Sequence, residues 1–169
     1  MSAVQFSTAE ITTSTNPLDL AEQLIAERDW LCDRPMEEEL VAEVQSGWCN
    51  YRIWFTWQQE LGVVIFSCAY DNKIPEKQRE KIYPLLAQVN EKMWIGHFDI
   101  GQEDGMIMYR HALLLRGGSQ ATPEQLDDLM DIAITECNRF YPAFQSVLWG
   151  GNTVEEALEI ALLETVGEA

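Results

Sequence analysis

WCNYRIWFTWQQELGVVIFSCAY, residues Trp48 to Tyr70, reads as two strands joined by a tight turn. Cys49, Tyr51, Ile53, Phe55 and Trp57 alternate along one face of the first strand, and Val64, Phe66, Cys68 and Tyr70 answer from the second, at the period of two that a strand imposes. Gln59-Glu60 supplies the turn. With Gln58 opposite Leu61, Phe55 faces Val64 and Ile53 faces Phe66, which gathers every large apolar residue of the ribbon on one side. The reverse side carries Trp48, Arg52, Trp54, Val63 and Ile65 among Asn50, Thr56 and Ser67. It is partly apolar, and a sheet face of that kind calls for a cover or a partner.

Working outward, the spacing predicts an ordered set of elements around this ribbon. Residues 1–15 are rich in Ser and Thr and read as a flexible leader, and residues 16–169 as a single domain. Asn16 caps a helix that opens on Pro17 and presents Leu18, Ala21, Leu24 and Ile25. Trp30 to Glu38, holding Pro35, reads as a link to a first strand at Glu39 to Gln45, with Gly47 separating it from the ribbon. A second helix follows Pro75, with Ile82, Leu85, Leu86, Val89 and Met93 at helical spacing and a disturbance expected at Pro84. His97 to Gly101 and Met106 to Leu115 form a hairpin around Asp104-Gly105. Thr122, Pro123 and Gln125 open a helix with a capping box, which Pro142 is expected to bend or stop, and a last helix starts at Thr153 with Glu156 in the reciprocal capping position. The sum is an α+β fold: an antiparallel five-stranded sheet with helices, in the order α-β-β-β-α-β-β-α plus a C-terminal helix.

Composition narrows the function. The 28 acidic residues against 11 basic ones give a formal net charge of −17, which repels phosphate backbones and anionic lipid surfaces. No nucleic-acid or membrane partner is expected, since Arg52, Arg110 and Arg116 are too scattered to form a basic footprint. No stretch reaches the length of a membrane span, and the N-terminus lacks the basic and apolar regions of a signal peptide, so the expected location is cytoplasmic. Cys32, Cys49, Cys68 and Cys137 have no CxxC spacing and read as reduced, structural thiols.

Reactive constellations are sparse. His97 and His111 fall on neighbouring strands, so a metal site or an acid/base pair is conceivable there, although zinc requires three or four ligands. Acidic pairs such as Asp127-Asp128 and Glu155-Glu156 sit where helix starts favour negative charge. There is no GxSxG elbow and no phosphate-cradling glycine loop, so the expectation is no enzyme, no cofactor and no metal. Six tryptophans are more than a small core readily hides, and aromatic residues dominate protein-binding hot spots. Trp48, Arg52, Trp54, Val63 and Ile65 are therefore the candidate partner-binding set.

The segments RDWLCDR, WCNYRIWFTWQQELGVVIFSCAYDNKIPE, VNEKMWIGHFDI, HALLLRGG and FYPAFQSVLWGG together resemble the YbjN family, over roughly Leu18 to Val166. That family is labelled as a bacterial sensory transduction regulator. The resemblance implies a fold similar to that of type III secretion chaperones, which are small acidic homodimers holding an extended partner segment on apolar patches. It implies a non-enzymatic, protein-binding regulator or chaperone-like protein, a homodimer, in sensory transduction or stress regulation. It brings no catalytic motif. The helix after Pro142 is additional to the chaperone pattern and could cover the surface that a chaperone would offer.

Overall fold

A computed structural model describes residues 16–166, and the expected leader lies outside the described residues. In chain order, α1 spans Pro17–Glu27, β1 Leu31–Met36, β2 Glu39–Gln45, β3 Asn50–Gln58, β4 Val63–Lys73 and α2 Glu76–Lys92. Then come β5 at His97–Ile100, β6 at Met106–Leu114, α3 at Pro123–Leu148 and α4 at Val154–Val166. The strands form one antiparallel sheet in the order β1-β2-β3-β4-β6-β5. The expected fold class stands, with six strands where five were expected.

The added strand is β1, which the sequence presents as a link. Among the described residues it is an edge strand with a single neighbour, and Leu31, Cys32, Asp33 and Met36 are all exposed, so no apolar alternation marks it. Pro35, which discourages a strand assignment, is tolerated at an edge where its missing N–H is not needed.

The ribbon register also differs from the expected one. Phe55 lies opposite Phe66 and Ile53 opposite Cys68, a shift of two residues, because the loop runs from Gln59 to Gly62 instead of turning at two residues. Gly62 takes a positive φ of 61° there, and its N–H bonds the Gln59 carbonyl at 3.1 Å. A shift of two keeps every side chain on its face, so the sorting into inner and outer sides survives.

Helices α1, α2 and α3 pack on one side of the sheet, and α4 packs on α3 and α2. The inner side of β2, β3 and β4 (Leu40, Ala42, Ile53, Phe55, Phe66, Tyr70) and the helical residues Leu18, Ile25, Leu85, Phe140 and Phe144 form one core. Phe55 meets Phe66 edge-on with ring centroids 4.8 Å apart, and the buried Tyr70 hydroxyl donates to the Cys137 carbonyl at 2.8 Å. Cys68 and Cys137 approach to 3.9 Å inside this core, where burial pushes the Cys137 thiol up and leaves it a poor nucleophile.

Two prolines do not end their helices. Both α2 and α3 run through, at Pro84 and Pro142 respectively. An interior proline costs about 3 kcal/mol. Beyond Pro142, α3 still buries Phe144, Val147 and Leu148, each worth about 1.5–3 kcal/mol by transfer from water, and that outweighs the defect. At its start, Gln125 N–H donates to the Thr122 hydroxyl at 3.2 Å and Thr122 N–H to Gln125 Oε1 at 3.0 Å, the expected capping box. Thr122→Ala should lower stability by about 1 kcal/mol in urea unfolding, against no loss if the helix start is held by packing alone.

Candidate interaction surface

The outer side of the sheet is covered by no helix among the described residues, α4 included. The C-terminal helix, a potential cover in the sequence, lies in the helical layer on the other side. The residues of this face come from the register. Trp54 of β3 sits between Val41 of β2 and Ser67 of β4, Thr56 between Glu39 and Ile65, and Ile65 beside Ala112 of β6. Val63 and Leu114 pair at one end, and Leu114 is 69% exposed.

Four of the five predicted residues share this surface. Arg52 stands two residues from Trp54 with its guanidinium carbon 5.9 Å from the ring centroid, and its Nη2 lies 3.4 Å from Glu43 Oε1. Ile65 is half-buried and Val63 is buried against its neighbours. Leu31, Asp33, Val41, Glu43, Arg52 and Trp54 line a shallow depression of about 420 Å³ on the β1 side. Arg110, further across, lies 3.3 Å from Asp99. Each arginine of the face thus meets a carboxylate in an exposed pair worth about 0–1 kcal/mol, so a partner can exchange these contacts at little cost.

Trp48 stands apart from the other four. It falls in the loop between β2 and β3, and its ring stacks on Tyr141 of α3 with centroids 5.7 Å apart at 26°. The same loop is tied to α3 through Asn138, whose Oδ1 accepts from the Ser46 and Tyr51 hydroxyls at 2.8 and 2.5 Å. Trp48 is 49% exposed but belongs to the rim beside the helices. A residue beyond the end of a strand no longer obeys its alternation, which is why counting in twos misplaced it.

The two histidines lie on opposite faces. His97 pairs with Arg110 across β5 and β6, which puts His97 on the outer side, while His111 is the next residue along β6 and turns inward. Burial, and secondarily the neighbouring His97, lowers the His111 pKa. Among the described residues no three His, Cys, Asp or Glu side chains gather into a metal-binding group. His111 instead lines a second cavity, of about 300 Å³, with Trp94, Ile95, Tyr109, Leu113, Leu129 and Ile132, and with Gln125 and Asp128 at its rim. Burial pushes the Tyr109 hydroxyl up to about 12, so it stays protonated and donates to the Ile95 carbonyl at 3.3 Å. Sequence reading missed this groove, because it forms only where α3 crosses the end of β6.

The profile of the YbjN family, described as "Putative bacterial sensory transduction regulator", matches residues 17–146. The chain belongs to the YbjN family. The match runs from α1 into α3, so α4 lies beyond it. A solved structure, "Crystal structure of YbjN, a putative transcription regulator from E. coli", is similar over 72% of this chain and 90% of that one, at a TM-score of 0.46 and 11% identity. Among curated proteins no sequence match is found. No helix among the described residues of this YbjN-family chain is long and apolar enough to cross a membrane.

Proposed function

We propose that this YbjN-family chain is a non-enzymatic, cytoplasmic regulator or chaperone-like protein that binds other protein chains through the outer face of its sheet, and that the same face joins two copies into a homodimer. One observation carries the reading. Trp54, Ile65, Val41 and Leu114 lie on a sheet face that no described helix covers, in a chain whose other large apolar side chains are mostly enclosed by α1, α2 and α3. A sheet face of this kind supplies broad contact area, and an aromatic anchor beside an arginine is the composition typical of an interface centre. The formal charge of −17 favours a protein partner with a complementary basic surface and disfavours nucleic acid.

Trp54→Ala combined with Ile65→Lys tests both parts. Light scattering of the unaltered chain should give twice 19.3 kDa and the double variant 19.3 kDa, with thermal unfolding little changed. A hot spot of this size is worth about 2 kcal/mol or more, so dimer dissociation should become at least roughly 30-fold easier. A single-chain mass for the unaltered protein at micromolar concentration removes the homodimer. Partner capture that is equal for the unaltered and doubly altered chains removes the face as the binding site.

A further inference from the structure

The two edges of the sheet are built differently. At one edge, β1 carries Asp33, Arg34 and Pro35, and its register with β2 shifts between Asp33 and Met36. Charges, a proline and an irregular register are the devices that keep an edge strand from pairing with another chain. At the other edge, β5 is only four residues long and pairs with β6 from Ile107 to Arg110. The rest of β6, His111-Ala112-Leu113-Leu114, is bound to β4 on one side and has no strand on the other among the described residues. It contains no proline and no acidic, lysine or arginine residue.

The backbone directions on that stretch follow from its neighbours. Leu115 N–H donates to the Gly62 carbonyl at 2.7 Å, toward β4, while the Met106 carbonyl accepts from Gly101 at 2.9 Å, toward β5. Alternation along the strand therefore turns the N–H and C=O groups of Ala112 and Leu114 to the free edge. Beside that edge lies the groove of about 300 Å³ floored by Leu113, Leu129 and Ile132, with Trp94 as a 74% exposed wall and Asp128 at the rim.

We infer that this edge accepts an extended segment of a partner protein as an additional strand, with aliphatic side chains at alternate positions entering the groove and lysine or arginine flanking them. The outward amide and carbonyl groups supply main-chain bonds, and a strand's alternation delivers every second side chain to the helical side, where the groove is apolar. Asp128 and the charge of −17 select a basic segment over an acidic one. The groove opens on the helical side of the sheet and meets the outer face only along Ala112 and Leu114, so loss of either site is read separately, by peptide binding for the edge and by the Trp54/Ile65 variant for the face.

The probe is a fluorescein-labelled peptide, Lys-Lys-Val-Thr-Leu-Thr-Val-Lys-Lys, titrated into the full chain by anisotropy, with amide hydrogen exchange on the same complex. Binding should occur, and the same peptide with glutamate for each lysine should bind at least tenfold more weakly. Ala112→Pro removes an outward N–H at a position where an edge strand tolerates proline, and Trp94→Ala removes an exposed groove wall. Each should weaken binding at least tenfold, while the peptide slows exchange at Ala112 and Leu114. The exchange measurement uses the unaltered chain, so it decides even if the proline variant folds poorly. No binding at about 1 mM peptide, equal binding of the acidic peptide, or protection at Arg52 to Thr56 instead of β6 would overturn the inference. So would a chain dimer that Ala112→Pro dissolves but Trp54→Ala combined with Ile65→Lys leaves intact, because the edge would then belong to a second copy.

Discussion

Phe98→Ala is expected to lower the unfolding free energy by about 4 kcal/mol, read from the urea midpoint at unchanged slope. Phe98 is 2% exposed, and its ring centroid lies 5.4–6.4 Å from those of Phe144, Phe140, Tyr109 and Tyr70. Four aromatic neighbours drawn from β4, β6 and α3 cannot collapse together into the space a phenyl ring leaves, so the cavity term stays large. The backbone of Phe98 is held independently, because its N–H and C=O both bond the Asn90 side chain of α2, at 2.7 and 3.0 Å. The loss is therefore a packing loss with the strand still in place. A measured change under about 1 kcal/mol would mean that β5 does not seal the end of the core as described. Phe98→Leu, which keeps most of the volume, should cost less than half as much.

Gly96→Ala should be nearly as damaging, at about 3 kcal/mol, although it adds only one methyl group. A Cβ at Gly96 would overlap the Tyr109 hydroxyl oxygen and the ring carbon that bears it, and Gly96 has a φ of +69°. Overpacking costs about 1–3 kcal/mol and a left-handed backbone at a residue with a Cβ another 1–2. Tyr109 cannot swing away freely, since it is buried between Phe66 and Phe98. Gly47→Ala is the matched control: nothing lies within 4 Å of its Cβ position and its φ is not positive, so the change should stay within about 0.5 kcal/mol. If the two substitutions cost the same, steric contact with Tyr109 is not the reason Gly96 is a glycine. A double-mutant cycle with Tyr109→Ala should recover much of the Gly96 penalty.

Both residues show where sequence reading is strong and where it stops. Phe98 is legible as a strand position, because His97 to Gly101 and Met106 to Leu115 read as a hairpin around Asp104-Gly105, while its inward direction follows from the register with β6. The contact beneath Gly96 is not legible, since it depends on a tyrosine 13 positions away reaching back under a loop. The same division runs through the fold. Apolar periodicity found α1 and β2 to β6, and the capping signals at Asn16, Thr122 and Thr153 all make the side-chain bonds they advertise. Periodicity could not find β1, whose exposed residues have no pattern to read, and it could not count the loop at Gly62.

The candidate surface divides likewise. Arg52, Trp54, Val63 and Ile65 follow from alternation within strands, so they fall together. Trp48 was assigned by the same count beyond the strand end and lies elsewhere. Leu31 and Asp33 enter the depression only through β1, so no reading that took Trp30 to Glu38 for a link could include them. His97 and His111 look paired because their strands are adjacent, yet one step of register sends them to opposite sides of the sheet.

The pairing of α1 with α3 has a consequence for how the chain is made. Arg28, at the end of α1, bonds Asp127 and Asp131 of α3 at 2.8 and 2.6 Å, partners that follow it by 99 and 103 residues. At roughly 5–20 residues per second, the ribosome delivers those carboxylates about 5–20 s after the arginine. During that interval β1 to β4 can zip up as neighbours, but their phenylalanine side waits in water for a lid that has not been translated. The nascent protein is thus at its stickiest when the meander is finished and the long helix is not.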